Sequence, residues 1–307
     1  MGFALLCAAT PSAAQSNKLL CPAGTHAVRQ TADSGYSETC EDAYKVRSGP
    51  FLARDASGRK RIEGSYRSGK ENGTWKEWHD NGKEASEVTY EEGQAAGPFQ
   101  EWYPDGTKRT TGQYENGLKH GLWTKYYSNG RKASEGRFQL GRETGVWTEW
   151  YPEGPKRREI TYEGGVEKGP WTMWHPNGIK AEQGTYGGSR VIEPRGVNVP
   201  IEVGTYESWY PNGQPKQRGE FRDGEKNGVW EEWHENGNEA RVVSYRDGGI
   251  EGALVTYSAA GSKIAEENYH NGVRNGTSTY WNEAGAVIRV DEWSDGRFVK
   301  RIDGPNR

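Results

Sequence analysis

Ten segments of this chain are near-copies of one another, and this repetition limits the possible folds more than any other property. The phrase GVWTEWYPEG, beginning at Gly145, returns as GVWEEWHENG at Gly228. Repeats open at Gly49, Gly73, Gly97, Gly121, Gly145 and Gly169, evenly spaced, and then at Gly204, Gly228, Gly252 and Gly276 at the same interval. Only the step from Gly169 to Gly204 is longer, so an insertion interrupts the array there. A constant period of about 24 residues is the signature of a solenoid or array, in which each repeat buries its apolar surface only against its neighbours.

Numbered from the opening Gly, the repeat reads G-x-W-x-E-W-Y-x-N-G-x-K, with an aromatic residue at position 18 and usually Gly at position 21. All 13 tryptophans fall at position 3, 6 or 18, position 10 is Gly in every repeat, and position 18 is a ring in every repeat from Tyr66 to Trp293. So frequent a Gly, alternating with clustered rings, is incompatible with helix and favours strand, turn and strand. In YPDG, HPNG and YPNG, Pro104, Pro176 and Pro211 stand before Asp-Gly or Asn-Gly. Proline fixes φ at about −65°, which fits the second residue of a type I turn followed by a left-handed Gly, and each repeat is therefore read as a hairpin. Alternation along a strand sends positions 3 and 7 to one face and position 6 to the other. The bulged turn is expected to place the position-18 ring with position 6, whereas a two-residue turn would place it with position 3.

Composition supports an ordered all-β chain. Hydrophobic residues are 32% of the 307 and mean hydropathy is −1.02, values that by themselves suggest disorder. Against this, aromatics reach 12% and the 43 glycines are spread along the chain. The net charge of −3, with Lys and Arg dispersed among acids, gives no nucleic-acid footprint, and no apolar run is long enough for a spanning helix.

The N-terminal segment 1–14 differs in character. The apolar run from Phe3 to Ala9 followed by Ser12-Ala13-Ala14 reads as a short signal peptide cut after Ala14, which implies export to the periplasm or beyond. Cys7 follows Leu6, where a lipoprotein signal would carry a small residue. The mature chain then keeps Cys21 and Cys40, and an even pair in an oxidising compartment predicts a disulfide that staples an N-terminal cap over residues 15–48. The repeat array follows over 49–299, and 300–307 form a tail.

At this point phrases such as GLWTKYYSNGRKASEGRFQLG and GVWEEWHENGNEARVVSYRDG resemble the bacterial variant of the MORN (membrane occupation and recognition nexus) repeat, over about four-fifths of the chain. The resemblance implies an elongated solenoid of stacked antiparallel β-hairpins. Such repeats serve as scaffolds and as lipid- or protein-binding surfaces, and some bacterial members are labelled antitoxins, which would mean binding and neutralising a partner. The end repeats depart from the pattern, with Arg54 and Asp55 at positions 6 and 7 of the first and Ser278 at position 3 of the last, as capping repeats should.

No catalytic constellation emerges, so the chain is expected not to be an enzyme and to need no cofactor. Glu77, Glu101, Glu149 and Glu232 recur at position 5 as a surface ladder, spaced too widely for an acid/base pair. His79, His175 and His234 occupy position 7, where other repeats carry Tyr, and read as substituting rings rather than metal ligands. Two features are candidates for binding. One is the position-6 ladder of Trp78, Trp102, Tyr126, Trp150, Trp174, Trp209 and Trp233, continued by Tyr257 and Trp281, which is either sheet core or a track for a peptide or glycan. The other is the insertion SRVIEPRGVNVPIEV, where Arg190, Ile192, Arg195, Val199 and Ile201 either decorate a tolerated excursion or form a docking element. The function read from the sequence is an exported interaction scaffold for another protein. The alternative is a carbohydrate-binding module that uses the Trp ladder.

Overall fold

The structure, a computed structural model, describes residues 19–192 and 196–302. The signal-peptide reading, Cys7 and Arg195 lie outside the described residues. Among the described residues the chain forms 24 strands and no helix, and every hydrogen-bonded strand pair is antiparallel. The fold is an all-β stack of hairpins. The chain divides into two compact units, Met1–Gly97 with Pro104–Gly106 and Pro98–Tyr103 with Thr107–Arg307.

Repeat 5, in the second compact unit, shows how one repeat is built. Its strands Arg142–Trp150 and Lys156–Glu163 are joined by a tight turn in which the Tyr151 amide donates to the Pro155 carbonyl and the Gly154 amide to the Tyr151 carbonyl, both at 2.9 Å. Gly154 has a φ of 117°, a left-handed conformation that closes the turn at little cost only when no Cβ is present. The next connection is different. Gly164 and Gly165, with φ of 61° and 86°, form a two-residue turn between Glu163 and Val166. Asn116-Gly117, Asp223-Gly224 and Asp247-Gly248 do the same in their repeats, with both residues at positive φ. Positive φ at both centres defines the type I′ hairpin turn, and Asn-Gly and Asp-Gly are its preferred sequences.

The face assignment of position 18 differs from expectation. Its ring shares a face with position 3, not with position 6. Trp150 pairs with Lys156, as the three-residue loop requires, but Glu149 then pairs with Arg158, so Arg157 is bulged out. This second one-residue irregularity cancels the first, and because side chains alternate with period two, the slip moves Tyr162 to the other face.

The core follows from this register. In the first compact unit Phe51, Tyr66, Trp75 and Tyr90 form a zigzag with centroid separations of 5.7, 5.1 and 6.2 Å, each step edge-to-face. The second unit repeats it through Tyr114, Trp123, Phe138 and Trp147 at 5.1, 5.9 and 5.1 Å, and again through Tyr206, Phe221, Trp230 and Tyr245. Edge-to-face contacts set the positive ring edge against the negative ring face, which adds specificity to the buried area. Each position-3 tryptophan fits over position 16 of the preceding repeat, and that residue is Gly where the fit is closest. A Cβ at Gly64, Gly112, Gly136 or Gly219 would lie within 2.0–2.3 Å of the ring of Trp75, Trp123, Trp147 or Trp230, respectively. Seated this way, each indole N–H donates to the position-17 carbonyl of the preceding repeat, at 3.1–3.3 Å.

Repeat 6 breaks the rule in an explicable way. Trp171 follows Ile160 instead of Gly, and the two are direct cross-strand partners. The ring lies instead on Tyr186 of its own repeat, stacked at 5.4 Å and 22°, and its buried indole N–H has no partner.

The turns are tied to each other as well. The position-7 phenols of Tyr103, Tyr127 and Tyr151 donate to the position-6 carbonyls of Tyr126, Trp150 and Trp174, at 2.8, 2.7 and 2.9 Å. Position-9 asparagines do two jobs: Asn129 Oδ1 accepts from the Arg131 amide within its own turn, while its Nδ2 donates to Pro152 O at 2.9 Å in the next. Tyr127→Phe removes one rung and is expected to lower the unfolding free energy by about 1 kcal/mol in urea titration. An unchanged midpoint would show that water replaces the bond at no cost.

The ends are capped. Strand His26–Ala32 pairs with Gly35–Glu41, which pairs in turn with Arg47–Asp55, the first strand of repeat 1. The disulfide between Cys21 and Cys40 anchors the segment before this hairpin, as the sequence predicted, and Cys40 is fully buried. At the other end buried Ser278 pairs with buried Asp291, whose carboxylate receives Arg289 at 3.1 Å and Arg301 at 2.9 Å. A polar lattice takes the place of rings where the array stops.

Candidate functional site

With positions 3 and 18 committed to the core, positions 2, 4 and 6 face the other way. The position-6 rings there are half-buried, and lysines cover several of them. In the first compact unit Lys60 Nζ sits 4.7 Å from the Trp78 centroid and 2.6 Å from Glu63. In the second, Lys132, Lys156 and Lys263 lie 5.8, 5.6 and 4.7 Å from Trp150, Trp174 and Trp281. These lysines are the position-12 residues of the preceding repeats, and each is fixed by the glutamate three residues on, Glu135, Glu159 or Glu266. Burial opposes ionisation of Glu135, yet the hydrogen bonds from Lys132 and Thr124 hold its carboxyl below the usual range. At these four rings the ladder is a stack of ring, ammonium and carboxylate, each cation–ring contact worth roughly 0.5–1 kcal/mol at such exposure.

Beside the rings, position 2 supplies bare aliphatic side chains. Leu122, Val146 and Val229 are 48%, 57% and 56% exposed on the face that carries Trp150 and Trp233. Leu122 and Val146 stand in adjacent repeats, and Val229 follows after two repeats with Pro170 and Thr205 at this position; these exposed aliphatics are the apolar element of this face.

The other sequence candidates are placed as follows. Glu101 receives Arg109 and Thr110, both at 2.9 Å; Glu149 pairs with Arg157; Glu232 receives Gln217 at 3.1 Å with Arg241 at 3.8 Å. Glu77 occupies the equivalent place in the first compact unit, paired in register with Ser86. The position-5 acids are therefore engaged separately and are not brought together. His175 and His234 replace Tyr in function as well as position, setting Nε2 against the carbonyls of Trp209 at 2.9 Å and Tyr257 at 3.1 Å. His79 holds the same turn position, its amide donating to Lys83 O. No group of three or more His, Cys, Asp or Glu among the described residues is arranged to hold a metal, and no helix is long and apolar enough to cross a membrane.

The described residues of the insertion extend one hairpin. Strands Lys180–Ile192 and Val197–Trp209 run 13 residues each, with Arg190 opposite Val199 and Ile192 opposite Val197. Arg190 and Ile192 are exposed, while Val199 and Ile201 are half-buried, Ile201 beside Gly224. Near its base burial pushes the phenols of Tyr186 and Tyr206 up to about 12, as it does for Tyr162.

A two-turn hairpin array with ring, glycine and asparagine ladders defines a β-repeat protein. Residues 71–92, 119–139, 202–223 and 226–247 match the MORN repeat variant, so the array carries MORN-variant repeats at these four places. No curated protein matches it. Among solved structures it is similar over 84% of its length to 17% of a chain of TcdB2-TccC3, at 9% identity and a TM-score of 0.19. The form of that protein without its hypervariable C-terminal region is similar over 88% of this chain and 20% of its own, at 11% identity and a TM-score of 0.15. The chain thus spans about a fifth of those proteins or less, and overlap this weak carries no inference.

Proposed function

We propose that the chain is a non-enzymatic, exported scaffold that binds another protein through the face bearing positions 2 and 6. The observation that supports this most directly is the exposed pair Leu122 and Val146 in adjacent repeats, with exposed Val229 three repeats further on, beside half-buried rings. A partner covering it would gain about 25 cal/mol for each Å² of apolar surface removed from water. The disulfide is compatible with an oxidising compartment, and thus with export. An immunity-type role, in which the bound protein is neutralised, is the form of scaffold that the repeat resemblance implies.

The carbohydrate alternative requires open ring faces. Lysines over Trp150, Trp174 and Trp281 compete for the surface on which a sugar would stack.

The test is affinity capture from the native envelope with wild type and with a Leu122→Lys, Val146→Lys, Val229→Lys variant, whose changes fall on exposed side chains and leave the core intact. A protein retained by wild type and lost by the variant is the expected result. Equal capture by both would refute this face. Polysaccharide that shifts tryptophan fluorescence while neither chain captures protein would favour the carbohydrate reading.

A further inference from the structure

Positions 14 and 23 of a repeat flank its position-18 ring on the core face. In repeat 5 these are Arg158 and Glu167, which form an ion pair at 2.7 Å, and the Tyr162 phenol donates to Glu167 at 3.1 Å. One repeat later the same positions are Glu182 and Glu202, and both are acids. Glu202 is the direct cross-strand partner of Tyr186, so the inserted hairpin leaves it at this place. Among the described residues, no Lys, Arg or His forms an ion pair with either carboxylate; Arg158, whose charge reaches Tyr186, is already bonded to Glu167. Burial first, and then the charge of Glu182, hold the Glu202 carboxyl above its usual range.

A second observation points the same way. Ser208 is directly opposite Glu182 and therefore on its face, is only 4% exposed, and its hydroxyl makes no well-formed hydrogen bond. Tyr206, two residues earlier on the same face, lies close to both Ser208 and Glu182. Trp171 sits 5.4 Å from Tyr186 and 6.2 Å from Tyr206 between ring centroids. Two like charges partly removed from water are costly unless a cation joins them. Aromatic rings beside carboxylates suit a cation with carbon-bound hydrogens or a delocalised plane.

We propose that Glu182, Glu202, Ser208, Tyr186, Tyr206 and Trp171 form a binding site for an organic cation, a guanidinium or ammonium group. The carboxylates and the Ser208 hydroxyl oxygen accept its N–H donors, and the rings cover its apolar faces. The group enters where Arg158 stands in repeat 5. It belongs either to a side chain of a protein partner or to a free amine. This site is on the opposite sheet face from the docking surface and stands independently of it.

Calorimetric titration of the full chain at low salt tests the site, with argininamide, the peptide acetyl-Ala-Arg-Ala-amide, and the neutral isostere citrullinamide as probes. Wild type is expected to bind the two cations saturably and the neutral isostere not at all. Glu202→Gln is expected to weaken binding by roughly tenfold or more. Glu182→Arg rebuilds the ion pair of repeat 5, so it should abolish binding while raising the unfolding midpoint, which separates lost binding from lost fold. Tighter binding of the peptide than of argininamide would assign the cation to a protein side chain, and the reverse order to a free amine. No saturable binding by wild type, unchanged affinity in both variants, or binding of Ca²⁺ with which argininamide fails to compete would each overturn the proposal.

Discussion

Gly219→Ala is expected to cost about 3 kcal/mol of stability, more than its single added methyl suggests. The new Cβ would lie 2.2 Å from the Trp230 ring, and Trp230 is fully enclosed by Tyr206, Phe221, Val243, Tyr245 and Leu254. The ring cannot retreat without losing its hydrogen bond to Glu220 O at 3.1 Å. Gly178→Ala is the control. Gly178 has a φ of 85° and nothing within 4 Å of an added Cβ, so only left-handed strain of about 1–2 kcal/mol applies. The protein also contains its own alternative at this contact, because Val243 and Leu254 occupy positions 16 and 3 one repeat later. Gly219→Val combined with Trp230→Leu should therefore recover part of what each change loses alone, a coupling of about 0.5–3 kcal/mol in a urea-unfolding double-mutant cycle. Equal costs for Gly219→Ala and Gly178→Ala, with strict additivity in the cycle, would show that the Gly–Trp seat does not organise the stack.

Replacing both cysteines, Cys21→Ala with Cys40→Ala, should destabilise the N-terminal end by about 2–4 kcal/mol. The staple joins the segment before the first strand to buried Cys40, next to Gly49 and Pro22, where repeat 1 begins. Because a repeat array is stabilised by intrinsic and nearest-neighbour terms, the loss should stay local. Amide exchange is expected to accelerate across His26–Glu41 while Gly228–Tyr245 keeps its protection. Uniform acceleration along the chain would mean that the array unfolds as one cooperative body, and no acceleration would mean that strand pairing alone holds the cap.

Much of the hairpin array could be read from residue spacing. Gly at position 10 after Pro-Asp or Pro-Asn dictated the bulged type I turn, and the structure places a left-handed Gly there in every repeat. Cys21 and Cys40 were paired from their number and setting. The type I′ turns went unread but could have been read, in ENG, RDG and HNG, since Asn-Gly and Asp-Gly between alternating strands specify that turn. The face of Tyr162 was not. It depended on a one-residue bulge at Arg157, a position with no distinguishing residue type, and a slip of one residue reverses every side chain beyond it.

The candidate sites divide along the same line. Residue types and period fixed which rings recur and that His175 and His234 stand in for tyrosine. They did not show that Lys132 would cover Trp150, or that Glu202 would stand opposite Tyr186 and Glu182 opposite Ser208, because these pairings join different strands. By itself, the sequence determined the repeat, its turns and its staple, since each is a matter of local backbone preference or of residue number. Only the tertiary structure decided which face became core and which charges face each other, because strand register is set by the sum of all bulges along the ladder.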